Sequence, residues 1–369
     1  MAQWRIWNAK SRGSLVAAAL SQAWRTPPPP FSLSPPELNL ISPVLLDSPA
    51  AALVWTKLRN ATPKQAIAER FHDAYRVSAL QSEIRAMDLQ QVLARVRSVN
   101  VEPIVHKGWA TARLYPEPGV RAYSDIDLLI RPDQQELAQA ALQTPPSIQC
   151  AVDLLHSEIT QLDSASWEAL YARSHLVKLG STDIRILGAE DHLRGLCIHC
   201  MKHGVASPLW LVDVAVTMER LPANFDWQLC VGSREPQANW IRCALSLAHR
   251  LLKAEITGTP VGEFVDQLPG WLTRSVLRRW SRPPVPDQLP RFAAVLKGRR
   301  GILEALAWRW PSAGQTTVDA NARFSRVPNI HLQLQSFFAP GNLKAFVSEL
   351  PMVWRETRKR SFGTEKSQR

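Results

Sequence analysis

The chain has 369 residues, 46% hydrophobic and 21% charged, enough for a substantial core and for two domains or one domain with a large extension. No apolar run approaches the ~18 residues needed to span a bilayer, and five scattered cysteines do not make a disulfide framework. A formal net charge of +12, from 44 basic against 32 acidic side chains, favours anionic partners and excludes no soluble enzyme class.

Residues 1–25 read as a helix, stopped by Pro27 to Pro30. Arg5, Lys10 and Arg12 ahead of Leu15–Leu20 loosely imitate a signal peptide, but a surface helix explains that short stretch as well, and a cytoplasmic location is expected. Thr26 to Pro36 is a stiff connector. From Pro43 to Asn100 the pattern is helical, with Ile67, Phe71, Tyr75, Val77 and Leu80, then Ile84, Met87, Val92, Leu93 and Val96, mostly at three- and four-residue spacings. The period changes at Val101. Residues 102–106 read as a strand leading into Lys107-Gly108, Trp109–Leu114 as a short helix, and Tyr115–Gly119 as a turn. Ser124–Ile130 is a strand, Pro132–Leu142 a helix and Ile148–Leu155 another strand, an alternation that argues for a mixed α/β core. After Ser164 the pattern is mostly helical, clearest over 190–204, 209–220 and 239–254. Four segments follow: an N-terminal helix with a Pro-rich connector (1–42), an α/β core with its preceding helices (43–163), a helical C-terminal domain (164–358) and a tail (359–369). The expected class is α+β, a small mixed sheet flanked by N-terminal and C-terminal helices.

The chemistry concentrates in Tyr-Ser-Asp-Ile-Asp-Leu-Leu-Ile, residues 123–130. Side chains two apart on a strand share a face, so Asp125 and Asp127 stand together while Ile126 and Leu128 project behind them. Adjacent carboxylates repel unless a cation sits between them, and a hard divalent ion such as Mg²⁺ suits oxygen donors. Such a pair usually needs a third carboxylate from a neighbouring strand, and Asp153 is placed for it. Asp-x-Asp alone is common, mostly at solvated strand ends. Here it lies inside an apolar strand, 17 residues after Gly108, where a glycine lets backbone approach a phosphate.

Lys107-Gly108, then Tyr115-Pro-x-Pro-Gly-x-Arg121, then Ser124-Asp-Ile-Asp-Leu-Leu129 resembles the bacterial uncharacterised nucleotidyltransferase family of the polymerase-beta superfamily. Val152-Asp153-Leu154, Leu187–Leu193, Ile198-His199 with Lys202-His203, and Leu209–Asp213 are similar to its later motifs. The resemblance spans about residues 45 to 220. It implies a nucleotidyltransferase core and Mg²⁺-dependent transfer of a nucleoside monophosphate from an NTP to an acceptor, with release of pyrophosphate. It further implies that Asp125 and Asp127 hold two metal ions, that Asp153 completes the site or acts as base, and that Lys107, Gly108, Trp109, Arg121 and Ser124 meet the nucleotide. Two departures stand out. The stretch from Asp127 to Asp153 is shorter than the family's, as if a hairpin were missing, and Asp153-Leu-Leu-His156 sets its histidine one position late. A catalytically inactive module that binds a nucleotide or protein is therefore the alternative.

Other readings stay open. Arg121 suits phosphate but could pair with Asp125 or Glu117; Lys107 could be a surface lysine, and Trp109 could be core. Cys197, His199, Cys200 and His203 suggest zinc, but on one helix they project at different angles, so packing cysteines beside cleft histidines fit better. The basic groups at Arg278-Arg279, Lys297, Arg299-Arg300 and 355–360 lack interleaved aromatics, so a solvated surface fits better than a nucleic-acid site. The acceptor, whether small molecule, peptide or protein, is not legible.

Overall fold

The structure, a computed structural model, describes residues 9–61, 66–143, 150–155, 166–281 and 310–339. The chain enters through α1 (Ala9–Leu20), α2 (Pro35–Leu46) and α3 (Ala51–Leu58). Helix α2 starts where Ser34 caps it: the Ser34 backbone N–H donates to the Glu37 carboxylate at 2.9 Å, with Pro35 next in line. Helix α4, Ala68–Ser98, runs 31 residues and serves two cores. Its early Phe71 packs with α1–α3 and the C-terminal helices. Its later Leu89, Val92, Leu93 and Val96 pack on the sheet.

Five strands form one mixed sheet in the order β3-β2-β1-β5-β4. They are β1 (Ile104–His106), β2 (Asp125–Leu129), β3 (Ala151–Leu155), β4 (His175–Leu179) and β5 (Thr182–Ile186). The β1/β2 and β4/β5 pairs are antiparallel, whereas β2/β3 and β1/β5 are parallel. Helix α5 (Gly108–Ala112) follows β1, and α6 (Gln135–Leu142) makes the crossover from β2 to β3. These two strands are direct neighbours, in keeping with the short spacing between Asp127 and Asp153.

Ile126, Leu128 and Ile130 go into the core formed with α4 and Ala138 of α6. Leu129, on the opposite face, packs with Ile104, Trp167, Leu170 and Leu187. Each buried aliphatic side chain contributes about 1.5–3 kcal/mol. The apolar end of β2 therefore holds the strand and leaves its start, Asp125 and Asp127, to face outward from the second face.

The rest is mostly helical: α7 (Trp167–Arg173), α8 (Ala189–Lys202), α9 (Pro208–Met218), α10 (Trp227–Val231), α11 (Gln237–Leu252), α12 (Val261–Val265) and α13 (Gly270–Trp280), with Ala313–Asp319 and Ile330–Phe337 beyond. Helices α8, α9 and α11 pack together around Leu196, Val212 and Leu245. One expectation needs correction. The stretch after Ser164 contains the β4–β5 hairpin, which joins the same sheet as the site. The helix read over this region is present as α4, and Val77, Leu80 and Met87 lie exposed on it. Among the described residues no helix is long and apolar enough to cross a membrane.

Helices α1 and α13 touch backbone to backbone at Gly13, where an added Cβ would lie 1.8 Å from the Leu277 carbonyl oxygen. Gly13→Ala therefore forces the helices apart. The overpacking cost of about 1–3 kcal/mol exceeds the gain of about 1 kcal/mol that alanine brings to a helix interior. A lower urea midpoint is expected, and a higher one would show that the helices can yield.

Candidate active site

Parallel pairing of β2 with β3 sets Asp127 directly opposite Asp153 and Asp125 opposite Ala151. Because side chains alternate, Asp125, Asp127 and Asp153 share one face, and one carboxylate oxygen from each lies within 4.8 Å of the others. Asp127 is buried, Asp125 half-buried and Asp153 exposed, so the cluster opens to solvent on the β3 side. All the donors are hard oxygens, their number suits a partly hydrated divalent ion, and their mutual repulsion is relieved by one. The residues fit Mg²⁺. They are the one group of this kind among the described residues.

On its other side Asp127 is paired with His106 of β1. His106 therefore shares the carboxylates' face, a neighbour that sequence reasoning missed. It is buried, and burial first, then the charge of Lys107, hold its imidazole pKa well below the ordinary range. Its ring meets the His192 ring edge-on at 6.3 Å, and His192 Nε2 lies 3.3 Å from Thr111 Oγ1. The wall beside the carboxylates is thus built from neutral imidazoles.

Lys107 and Gly108 sit at the turn between β1 and α5, both with positive φ, 49° and 32°. An added Cβ on Gly108 would come within 3.2 Å of the Asp125 carbonyl oxygen, which places this turn against the start of β2. Lys107 is buried, not a surface lysine. Its charge is the chief electrostatic influence on His199 of α8, whose pKa burial already lowers to about 2. Trp109 packs partly buried against the sheet core. Ser124 is exposed just ahead of Asp125, and its carbonyl accepts from Cys150 Sγ at 3.2 Å.

Arg121 is elsewhere engaged. It pairs with neither Asp125 nor Glu117; its Nη2 and Nε donate to the two oxygens of Asp213 on α9 at 2.8 and 3.2 Å. Tyr115 donates to the same carboxylate at 2.7 Å. Burial opposes the charge on Arg121, but Asp213 outweighs it and the pKa is raised. Glu117 instead meets Arg59 at 2.7 Å. The loop that delivers Asp125 is therefore fastened to α9 by Tyr115 and Arg121. It is fastened to α4 where Ser78 donates to the Gly119 carbonyl at 2.7 Å.

The suspected zinc set does not converge. Cys197 and Cys200 are buried thiols whose pKa burial raises, while the rings of His199 and His203 cluster with Trp210 at 4.9 and 5.1 Å. His156, Lys297, Arg299, Arg300 and the basic run 355–360 lie outside the described residues.

The buried imidazoles make stability depend on pH. Burial lowers the His192 pKa to about 3 and that of His199 to about 2. Between these values and the ordinary 6.5 the unfolded chain binds protons that the folded chain refuses. Stability is complete above about pH 6.5 and falls on acidification, by up to about 1.4 kcal/mol per pH unit for each group. The melting temperature is expected to drop steadily from pH 7 to pH 5. A flat profile would mean that both rings protonate in the fold.

The chain matches none of the curated proteins. A solved structure described as an antigenic nucleotidyltransferase-like protein from Paracoccidioides brasiliensis is similar over 47% of this chain and 94% of that one, with 14% identity and a TM-score of 0.35. The profile of the family described as "Uncharacterised nucleotidyltransferase" matches residues 48–145 and 149–253. Those segments make up more than half of the chain and include β1, β2, both carboxylates of the Asp-x-Asp pair, Asp153 and the α8–α11 helices. On that match, the chain belongs to the uncharacterised nucleotidyltransferase family.

Proposed function

We propose that the protein is an Mg²⁺-dependent nucleotidyltransferase that moves a nucleoside monophosphate from an NTP to an acceptor and releases pyrophosphate. The observation that carries this reading is the convergence of Asp125, Asp127 and Asp153 within 4.8 Å on an open sheet face beside Gly108. When bound, Mg²⁺ supplies charge neutralisation on the phosphates and a template for in-line attack. Asp125 and Asp127 would hold it from alternate positions of one strand, and Asp153 would complete the set from the exposed side. That placement also suits Asp153 to accept the proton of an incoming acceptor hydroxyl. Lys107 brings positive charge to the turn that Gly108 packs against the start of β2, which suits the triphosphate, and Trp109 and Ser124 are the neighbouring residues for that role. Arg121 acts in this reading through Asp213, holding the loop that sets Asp125.

The test is incubation of full-length protein with α-labelled NTPs, Mg²⁺ and cell extract, in parallel with Asp125→Ala/Asp127→Ala. Label is expected to pass to an acceptor only with the wild-type protein. Equal transfer by both would remove the pair from the chemistry.

A further inference from the structure

Away from the sheet, α1, the Pro29–Ser32 stretch, α3, the end of α11 and Leu277 of α13 border an open cavity of about 430 Å³. That volume is in the range of small-molecule sites, roughly 300–1,000 Å³. Among the described residues the charged ones lining it are Lys57, Arg250 and Lys253, with no Asp or Glu. The rest of its described wall is polar at Ser14, Ser21, Gln22 and Ser32 and otherwise apolar, with prolines and leucines.

Lys57 is the telling residue. It is 4% exposed, and an ammonium so buried is normally matched by a carboxylate. Among the described residues its polar partners are the Ala18 and Ser21 carbonyls at 3.3 and 3.2 Å, at the end of α1, with the Phe31 ring 5.9 Å away. Those carbonyls supply partial negative charge, not a counter-ion. Arg250 likewise donates to a carbonyl, that of Val265 at 2.8 Å, and Lys253 is exposed at the rim. Burial lowers the Lys57 pKa to about 8, consistent with a cation lacking full compensation.

We infer that this cavity is a second binding site, independent of the carboxylate centre, for a small organic anion whose carboxylate or phosphate group sits between Lys57, Arg250 and Lys253 and whose body lies on the proline and leucine wall. The site has cationic donors for the head group and apolar surface for the rest, as small-molecule sites commonly do.

Isothermal titration of the full-length protein without Mg²⁺ tests this, with citrate as the carboxylate probe and inorganic phosphate as the phosphate probe. One of the two is expected to bind saturably with one-to-one stoichiometry, and the tighter probe identifies the head group. Lys253→Glu, an exposed rim change, is expected to weaken that binding about tenfold or more, and Lys57→Met to abolish it. Asp125→Asn/Asp127→Asn is expected to leave it unchanged. Should Lys57→Met fail to fold, Lys253→Glu decides alone. No saturable binding of either probe at millimolar concentration, or equal binding by wild type and Lys253→Glu, would overturn the assignment.

Discussion

Replacing Asp127 with asparagine is expected to lower the rate of nucleotidyl transfer by about 10³-fold while the protein still folds. Asp127 occupies the centre of the cluster, opposite Asp153 on one side and His106 on the other. The amide keeps the shape of the side chain but removes the charge that attracts a hard cation. Its neighbours would not compensate, because a set of three carboxylates becomes two, with a neutral amide oxygen in the middle position. The loss should appear in kcat rather than in substrate KM, since the charge matters most where negative charge builds on the transferring phosphate. The comparison to make is Asp127→Asn against Asp153→Asn. The exposed Asp153 sits at the rim, so its loss should be smaller. A larger loss at Asp153 would shift the centre of the site to β3.

The largest effect on stability is expected at Asp213. Asp213→Ala leaves the Arg121 guanidinium, 8% exposed at its side chain, without its carboxylate and with only the Ala122 carbonyl, 3.4 Å away. It also strips the Tyr115 hydroxyl of its acceptor. Breaking a buried pair from one side costs about 3–5 kcal/mol, because the remaining charge stays buried. That is a large share of the 5–15 kcal/mol by which domains are typically stable. The double substitution Arg121→Met/Asp213→Leu removes both charges and should recover much of the loss in a denaturant titration. Arg121→Lys should not, since an ammonium cannot reproduce the two-pronged contact. If Asp213→Ala costs under about 1 kcal/mol, the pair behaves as a solvated surface bridge and does not hold the loop that carries Asp125.

What the sequence reveals here follows from how local each signal is. Asp125 and Asp127 are legible because strand period alone puts them on one face, with Ile126 and Leu128 behind. Asp153 is legible as a carboxylate on the next strand, although its position opposite Asp127 depends on a parallel register that no local pattern encodes. His106 is not legible. Its strand is three residues long and buried throughout, so it shows no alternation to indicate which face each side chain takes. The β4–β5 hairpin leaves a signal that can be read in hindsight: Val177 and Leu179, then Ile184 and Ile186, alternate on either side of Gly180-Ser181. Gly180 takes φ +58°, which a tight two-residue turn needs. The helical stretches around it obscure that pattern. The Arg121–Asp213 pair joins positions 92 apart in the chain, and only the packing of α9 beside the loop brings them together. The exposed Val77, Leu80 and Met87 show the converse: helical periodicity identifies α4 but not which of its faces is covered.

The most direct measurement is Mn²⁺ binding, followed by electron paramagnetic resonance, with Mn²⁺ standing in for Mg²⁺ and an NTP present. Wild-type protein is expected to bind the ion saturably at a site that Asp125→Asn/Asp127→Asn abolishes and that Lys253→Glu leaves intact. Binding of equal strength and stoichiometry in wild type and Asp125→Asn/Asp127→Asn would contradict a metal centre at these carboxylates.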